Sequence, residues 1–337
     1  GGAGQGAGAG LGGMYRNPFH DEQAVRGQKL VLSTVVGALA SHPAVACWNL
    51  GNEPDLFAFP RSVAEGEKWA AEMTATIRKV DTKLPGAPRP VTCGLHADSL
   101  RWTANNLPVH RMFGNMDVHV MHAYPMYVSW VQNPLDSDFV PFTCALTSLI
   151  CAHLGGDGDI VAPPVLMEEF GGCTAPPGAP SQTWKWEQHS GGKSVQRTQF
   201  MASEEEFAKY MGEVLVKLQR IGSLGAVLWC FSDYSSDQWT SPPCKDNLHE
   251  RYFGLVRPDG TLKPHAQVVK DFAATKPRVR PPQEVLSLVQ LLLQSSGANV
   301  GDAWYEHAAD HNGSCETKMA EIFAQFKAFL ENDTSID

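Results

Sequence analysis

Apolar runs of strand length recur along the middle of the chain, and segments with helical spacing of apolar residues lie between several of them. The strand-like runs are AVACWNL (44–50), RPVTCGL (89–95), MDVHVMHAY (116–124), PPVLMEEF (163–170) and LGAVLWCF (224–231). Helical spacing is clearest over 61–81 and 204–221. Strands that alternate with helices form parallel sheets with covered faces, so the strands read as continuous apolar runs. The pattern predicts an α/β fold with five parallel strands.

The remaining segments depart from this rhythm. Helical spacing over 21–41 ends at His42-Pro43, a helix is expected near 143–154, and 173–200 is predicted to be a long loop. The predicted domains are a Gly-rich disordered segment (1–13), the α/β region (14–275), a linker (276–282) and a helical C-terminal tail (283–337) with helices at 283–295 and 316–330.

Composition narrows the functional classes. The chain has 337 residues, 43% of them hydrophobic and 19% charged, and a net charge of −9. A negative net charge argues against nucleic-acid binding, and no apolar run approaches the roughly 18 residues of a membrane span. The eight cysteines contain no C-x-x-C pair, so a zinc ribbon is not predicted. Histidines 119 and 122 lie three apart on a strand and so face opposite sides, which argues against a metal pair.

Polar and aromatic residues stand at the ends of the predicted strands. Asn52-Glu53 ends the first, His122 and Tyr124 end the third, Glu168-Glu169 ends the fourth and Trp229 lies in the fifth, while His96 closes the second less distinctively. In a parallel α/β barrel the strand ends converge on the active site. Two glutamates on separate strands suit glycosidic-bond hydrolysis, in which one carboxyl protonates the leaving oxygen and the other attacks the anomeric carbon.

These motifs resemble those of the clan A retaining glycoside hydrolases, most closely family 5, the cellulase and β-mannanase type. The resemblance covers roughly residues 14–275 and rests on the ordered blocks WNLGNEPD, HAYP, VLMEEFGG, VLWCFSDY and ERYFGLVRPDGTLKPHA. It implies a (β/α)8 TIM-barrel fold, of which strands 4 to 8 are recognisable, followed by a helical C-terminal appendage. It also implies an oligo- or polysaccharide substrate and no cofactor or metal.

The resemblance assigns the first strand end to acid/base chemistry. Glu53 matches the general acid/base, and Asn52 would bond the sugar 2-hydroxyl. His122 would help set the charge near the acid/base.

The resemblance assigns the later strand ends to the nucleophile and the sugar platform. Glu169 matches the nucleophile, Tyr124 would hydrogen-bond it, and Trp229 matches the aromatic platform beneath the sugar. Adjacent strand residues face opposite ways, so Glu168 is expected to point away from the cleft.

The first three barrel strands have no counterpart in the chain. Three strand–helix units of roughly 30 residues each would precede the first predicted strand, and only 43 residues stand there. Two hypotheses therefore stay open: a retaining β-glycosidase acting on a β-linked glucan or mannan, and a truncated, inactive homologue that at most binds carbohydrate. An incomplete sheet would also expose strand edges, so self-association through these edges is expected.

Overall fold

The computed structural model describes residues 16–101, 104–154, 160–190, 193–279, 300–310 and 316–332. The chain divides into two compact units. Unit 1 comprises Gly1–His122, Cys144–Leu166 and Pro282–Ile322, and unit 2 comprises Ala123–Thr143, Met167–Pro281 and Phe323–Asp337. The domain boundaries expected from the sequence stay a prediction.

The helices of the described residues are α1 (Glu22–Leu39), α2 (Val63–Val80), α3 (Val109–Phe113), α4 (Phe139–Ile150), α5 (Glu204–Arg220), α6 (Pro264–Ala274), α7 (Val300–Asp310) and α8 (Glu316–Asn332). The strands of the same residues are β1 (Trp48–Asn52), β2 (Val91–Gly94), β3 (His119–Ala123), β4 (His153–Leu154), β5 (Ile160–Val161), β6 (Val165–Gly171), β7 (Gln182–Ser190), β8 (Lys193–Met201) and β9 (Gly225–Trp229). No helix among these residues is long and apolar enough to cross a membrane.

Each of the five predicted apolar runs overlaps a strand: β1, β2, β3, β6 and β9. In unit 1, β1 and β2 pair in parallel, with Trp48 opposite Val91 and Asn52 opposite Gly94. The first strand lies later than expected from the sequence, because its partner β2 begins only at Val91 and the ladder therefore starts at Trp48. The strand consequently ends at Asn52, and Glu53 is the first residue beyond it.

Side-chain caps and apolar faces explain the long helices. The side chains of Asp21, Ser62 and Ser203 accept backbone N–H groups in the first turns of α1, α2 and α5. In unit 1, α2 buries Met73 and Ile77, and Ile77 packs in a cluster with Val36 of α1 and Val91 of β2. Each fully buried side chain of this size contributes about 1.5–3 kcal/mol to folding.

The β3–β6–β9 sheet carries the later strand ends. The division between the units passes through β3 and through β6. In unit 2, α5 buries one apolar face that includes Phe207, Val214 and Leu218. The helix expected near 143–154 begins and ends earlier, as α4, and its side chains are buried on all sides, as its almost wholly apolar sequence requires.

The prediction of a long loop over 173–200 is wrong for most of that stretch. Strands β7 and β8 form an antiparallel hairpin from Gln182 paired with Met201 to Ser190 paired with Lys193. Residues on alternate positions of β7, Trp184 and Trp186, point to one side and pack against aromatic rings of unit 2. The signal was present in the sequence, since Gly191-Gly192 between two alternating runs is a two-residue hairpin signature.

The C-terminal helices are packed into the units rather than projecting from them. In unit 1, Trp304 and Tyr305 of α7 are buried. In unit 2, Phe323 of α8 packs its ring against Trp130 and Phe139. Helix α8 confirms the helix predicted at 316–330, whereas the one predicted at 283–295 and the Gly-rich segment 1–13 lie outside the described residues.

Candidate active site

The end of β1 presents Glu53 through an unusual backbone. Glu53 has φ 48° and ψ 49°, in the left-handed region that non-glycine residues rarely occupy. Its N–H donates to the carbonyl oxygen of Gly94 at 2.9 Å, and Pro54 then begins a short 3₁₀ turn. A conformation of this kind costs on the order of 1–3 kcal/mol, and such residues cluster at functional sites. The strand end is therefore built to hold Glu53 in one direction.

The carboxyl group of Glu53 contacts His122, and both side chains are largely buried. Nδ1 of His122 lies 3.1 Å from Oε1 of Glu53, and the two side chains are 3% and 14% exposed, respectively. Burial raises the pKa of Glu53, whereas the hydrogen bond from His122 and the charges of His96 and His122 lower it. The pKa ends below the ordinary value of the group. The carboxyl group of the free chain is therefore held in its ionised form. Asn52, at the last position of β1, is exposed.

Asp55 is a residue of this site that the sequence reasoning did not single out. Its side chain is 1% exposed, and its Oδ2 accepts from the backbone N–H of His96 at 3.0 Å and from the hydroxyl of Ser99 at 2.5 Å. Burial raises the pKa of Asp55 to about 6, against the lowering effect of the Ser99 hydrogen bond and the His96 charge. His96 itself accepts at Nδ1 from the N–H of Asp98.

The nucleophile candidate, Glu169, is held in unit 2. The hydroxyl of Tyr124 donates to Oε1 of Glu169 at 2.7 Å, so the contact expected between these residues is present. Tyr124 is buried in a cluster with Cys173 and Phe253. Because this packing leaves the phenol ring little freedom, the hydroxyl is a fixed donor for the carboxylate.

Trp229 ends β9 in the same unit. The residue is 39% exposed, and the Trp229–Cys230 peptide is cis. Strand β6 approaches it closely at Gly171, where an added Cβ would lie 2.2 Å from the carbonyl oxygen of Trp229. Only glycine allows this approach, so Gly171 determines how near the end of β6 lies to the end of β9.

A further carboxyl group, Glu250, was missed because it lies in the 3₁₀ turn Leu248–Tyr252 and not at a strand end. Burial raises the pKa of Glu250, and the negative charge of Glu169 raises it further, to about 7. Its neighbour His249 has Nε2 3.1 Å from the Tyr127 hydroxyl, and burial lowers the pKa of this imidazole to about 4. The surroundings of Glu169 thus include a second acid that titrates near neutrality.

Three further tryptophans of unit 2 pack on other parts of the protein. Trp184 lies edge-on to Tyr252, Nε1 of Trp186 donates to the carbonyl oxygen of Asp246, and Arg251 lies over the ring of Trp239. These contacts fix the hairpin and the 3₁₀ turn beside Glu169.

Comparison with known proteins gives a likeness of fold. No family model and no curated protein matches the chain. Among solved structures, GH5_18 from Streptomyces cattleya in complex with Manb1-4GlcNAc is 15% identical, with a TM-score of 0.59 over 79% of this chain and 58% of that one. The exo-beta-1,4-mannosidase Op5Man5 from Opitutaceae bacterium strain TAV5 is 19% identical, with a TM-score of 0.57 over 84% of this chain and 45% of that one.

A third solved structure matches with a lower TM-score. The beta-glucuronidase of Bifidobacterium dentium complexed with coumarin-3-O-glucuronide is 16% identical, with a TM-score of 0.51 over 76% of this chain and 35% of that one. The chain thus has an α/β fold similar to that of GH5-type glycoside hydrolases, as the sequence resemblance predicted, and it spans 58% of the length of the Streptomyces cattleya structure in complex with Manb1-4GlcNAc. That the strands belong to an eight-stranded barrel stays a prediction.

Proposed function

We propose that the protein is a glycoside hydrolase that cleaves a β-linked glucan or mannan by double displacement with retention. The observation that carries the proposal is a pair of glutamates near the ends of separate strands, each held by a side-chain hydrogen bond. His122 contacts Glu53 and Tyr124 contacts Glu169. Retention requires the two carboxyl groups to lie about 5–5.5 Å apart, which is the geometry the proposal demands of the active enzyme.

The two glutamates have different tasks in this mechanism. The Glu169 carboxylate attacks the anomeric carbon and forms a glycosyl ester, while Glu53 gives a proton to the leaving oxygen. Glu53 then takes a proton from the water that cleaves the ester. The Tyr124 hydrogen bond orients the attacking oxygen of Glu169, and the exposed face of Trp229 supports the sugar ring.

The acid step requires the pKa of Glu53 to rise. The carboxyl group of the free chain has a lowered pKa, whereas a general acid must hold a proton when the substrate is bound. Bound sugar displaces water from the carboxyl group, and loss of water favours its neutral form. The proposal therefore includes a rise in the pKa of Glu53 on substrate binding.

A β-mannoside is the first substrate to test. The structures with similar folds include an exo-beta-1,4-mannosidase and a protein in complex with Manb1-4GlcNAc. These are properties of those proteins. The glutamates and the fold are compatible with both a glucan and a mannan. The substrates of these similar structures therefore decide which of the two is tested first.

The test compares two substitutions on two substrates. Glu169→Gln should abolish hydrolysis of both mannobiose and 2,4-dinitrophenyl β-mannoside, because no glycosyl ester can form. Glu53→Gln should abolish hydrolysis of mannobiose and largely spare kcat/KM on the dinitrophenyl substrate, whose leaving group needs no proton, while kcat on this substrate falls because the base for ester cleavage is lost. Azide should restore turnover of Glu53→Gln and yield a β-glycosyl azide.

The matched control is Glu168→Gln, on the adjacent position of β6, which should retain turnover on both substrates. Equal losses in Glu53→Gln and Glu169→Gln on the activated substrate would contradict the assigned roles. Loss of turnover in Glu168→Gln together with an active Glu169→Gln would move the nucleophile to Glu168.

The second candidate is carbohydrate binding without hydrolysis. It is favoured by the ionised state of Glu53 in the free chain, since a carboxylate that keeps this state in the complex accepts hydrogen bonds from sugar hydroxyls but cannot act as an acid. Calorimetric titration with mannobiose distinguishes the two functions. Saturable binding without product would establish the second candidate and exclude the first for that substrate.

A further inference from the structure

The left-handed turn at Glu53 needs external support. Locally, the N–H of Glu53 is tied to Gly94, and the carbonyl oxygen of Glu53 accepts from the N–H of Leu56 at 3.0 Å. Both contacts are backbone hydrogen bonds of Glu53 itself, and neither ties a side chain of the turn to another segment. The residue that does so is Asp55, whose buried carboxylate reaches across to the N–H of His96 and the hydroxyl of Ser99.

Ser99 is in turn held on two further sides. Nδ2 of Asn105 donates to its hydroxyl oxygen at 2.8 Å, and the hydroxyl of Tyr305 donates to its carbonyl oxygen at 2.6 Å. Ser99 lies in the short 3₁₀ turn Ala97–Leu100, which directly follows His96. The partner that Asp55 uses is therefore fixed partly by a residue about 200 positions later in the chain.

Helix α7 provides two such contacts. Besides the Tyr305 bond, Nε1 of Trp304 donates to the carbonyl oxygen of Leu100 at 2.6 Å. The Tyr305 hydroxyl also accepts from the N–H of Val109 at 3.1 Å, so this one buried oxygen links Ser99 to the start of α3. All of these residues belong to unit 1.

The residues just before the Ala97–Leu100 turn also contact His122. His96 forms a parallel bridge with His122, and the N–H of His122 donates to the carbonyl oxygen of Leu95 at 2.9 Å. Displacement of the segment 95–99 would therefore move both the Asp55 anchor and the imidazole that contacts Glu53.

We propose that Tyr305 and Trp304 of helix α7 are positioning residues for the acid/base carboxyl group. They hold the Ala97–Leu100 turn in place by hydrogen bonds. Asp55 is hydrogen-bonded to this turn, and Glu53 is thereby held in its left-handed conformation against His122. Helix α7 then contributes to positioning at the site. This inference rests on the proposed function for its kinetic test and is independent of it for its titration test.

The kinetic test uses Tyr305→Phe, which removes one hydroxyl and keeps the ring. Glu53 also acts as the base in the ester-cleaving step, so the comparison uses kcat/KM, which reports formation of the glycosyl ester alone. A displaced acid slows that step only where the leaving group needs a proton, and we expect a roughly tenfold loss of kcat/KM on mannobiose. On 2,4-dinitrophenyl β-mannoside we expect less than a twofold loss. The matched control is Tyr210→Phe, because the Tyr210 hydroxyl is buried and has no hydrogen-bond partner among the described residues. It should leave both rates unchanged. Equal losses on both substrates in Tyr305→Phe would overturn the proposal, since they indicate only a smaller folded fraction.

The titration test needs no turnover. The ¹³C chemical shift of the Glu53 carboxyl, assigned with Glu53→Gln, reports its pKa in wild type and variants. Loosening of the His122 contact should raise this pKa by at least half a unit in Tyr305→Phe and leave it unchanged in Tyr210→Phe. Should Tyr305→Phe fail to fold, Ser99→Ala removes the Asp55 contact without changing α7 and should give the same shift. An unchanged pKa in the folded variant would refute the inference even if hydrolysis is observed. A wild type without hydrolysis would refute only the proposed function.

Discussion

Glu250 offers a direct measurement of the electrostatics around Glu169. Burial and then the charge of Glu169 raise the pKa of the Glu250 carboxyl from an ordinary 4.5 to about 7. Its side chain is 22% exposed, so water screens the carboxyl group only in part. In the unfolded chain both causes disappear, and the group returns to its ordinary value. The substitution Glu250→Gln removes this titration while nearly preserving the shape of the side chain.

The effect of the Glu250 pKa on the free energy of unfolding follows from the linkage between protonation and folding. Between pH 4.5 and about 7 the folded chain keeps the Glu250 proton that the unfolded chain has lost. The free energy of unfolding therefore falls as pH rises through this window. Each pKa unit corresponds to 1.36 kcal/mol, so the full cost above pH 7 is about 3 kcal/mol. Below pH 4.5 the carboxyl group is protonated in both states and there is no cost.

Glu250→Gln should therefore be more stable than wild type by up to about 3 kcal/mol at pH 8 and equal to it near pH 4. Urea unfolding followed by tryptophan fluorescence at several pH values measures this difference. Asp55, with a pKa raised to about 6, gives a slope of the same sign in both proteins, so the comparison with wild type isolates Glu250.

The matched control is Glu321→Gln, at an exposed position of α8, which should change stability by less than about 0.5 kcal/mol at every pH. Identical pH slopes in Glu250→Gln and wild type would refute the reasoning. A variant that is less stable at pH 8 would show that the ionised carboxyl group is held by favourable contacts.

Two further substitutions test the packing of unit 2. Lys263→Met should reduce the free energy of unfolding by roughly 3–5 kcal/mol, because it leaves the buried carboxylate of Asp233, 2.8 Å from Lys263 Nζ, without its counter-ion. Lys270→Met at an exposed position of α6 is its control, and similar losses in both would contradict a special role for the buried pair. Gly171→Ala should prevent stable folding, because its Cβ would meet the Trp229 backbone at 2.2 Å, whereas Gly51→Ala, with no heavy atom within 4 Å, should fold. A soluble Gly171→Ala with wild-type thermal stability would show that β6 and β9 are farther apart.

Five of the strands, and the polar residues that follow them, were predictable from the sequence. An apolar run with helical neighbours is a local pattern, and it located β1, β2, β3, β6 and β9. The pairing of Tyr124 with Glu169 was expected from the resemblance of their motifs. The hairpin was missed although its alternation and Gly-Gly dipeptide are equally local signals, because the stretch was interpreted by its length.

How the Glu53 carboxyl group is held depends on tertiary contacts that no local pattern predicts. The left-handed conformation of Glu53 has no sequence signature, because it is imposed by contacts from outside the turn. Asp55 meets His96 across 41 positions, and Tyr305 meets Ser99 across 206. Contacts at such separations leave no periodic trace in either segment. The same reason explains Glu250, whose pKa is set by burial and by Glu169, since both depend on which segments fold against the turn that carries it.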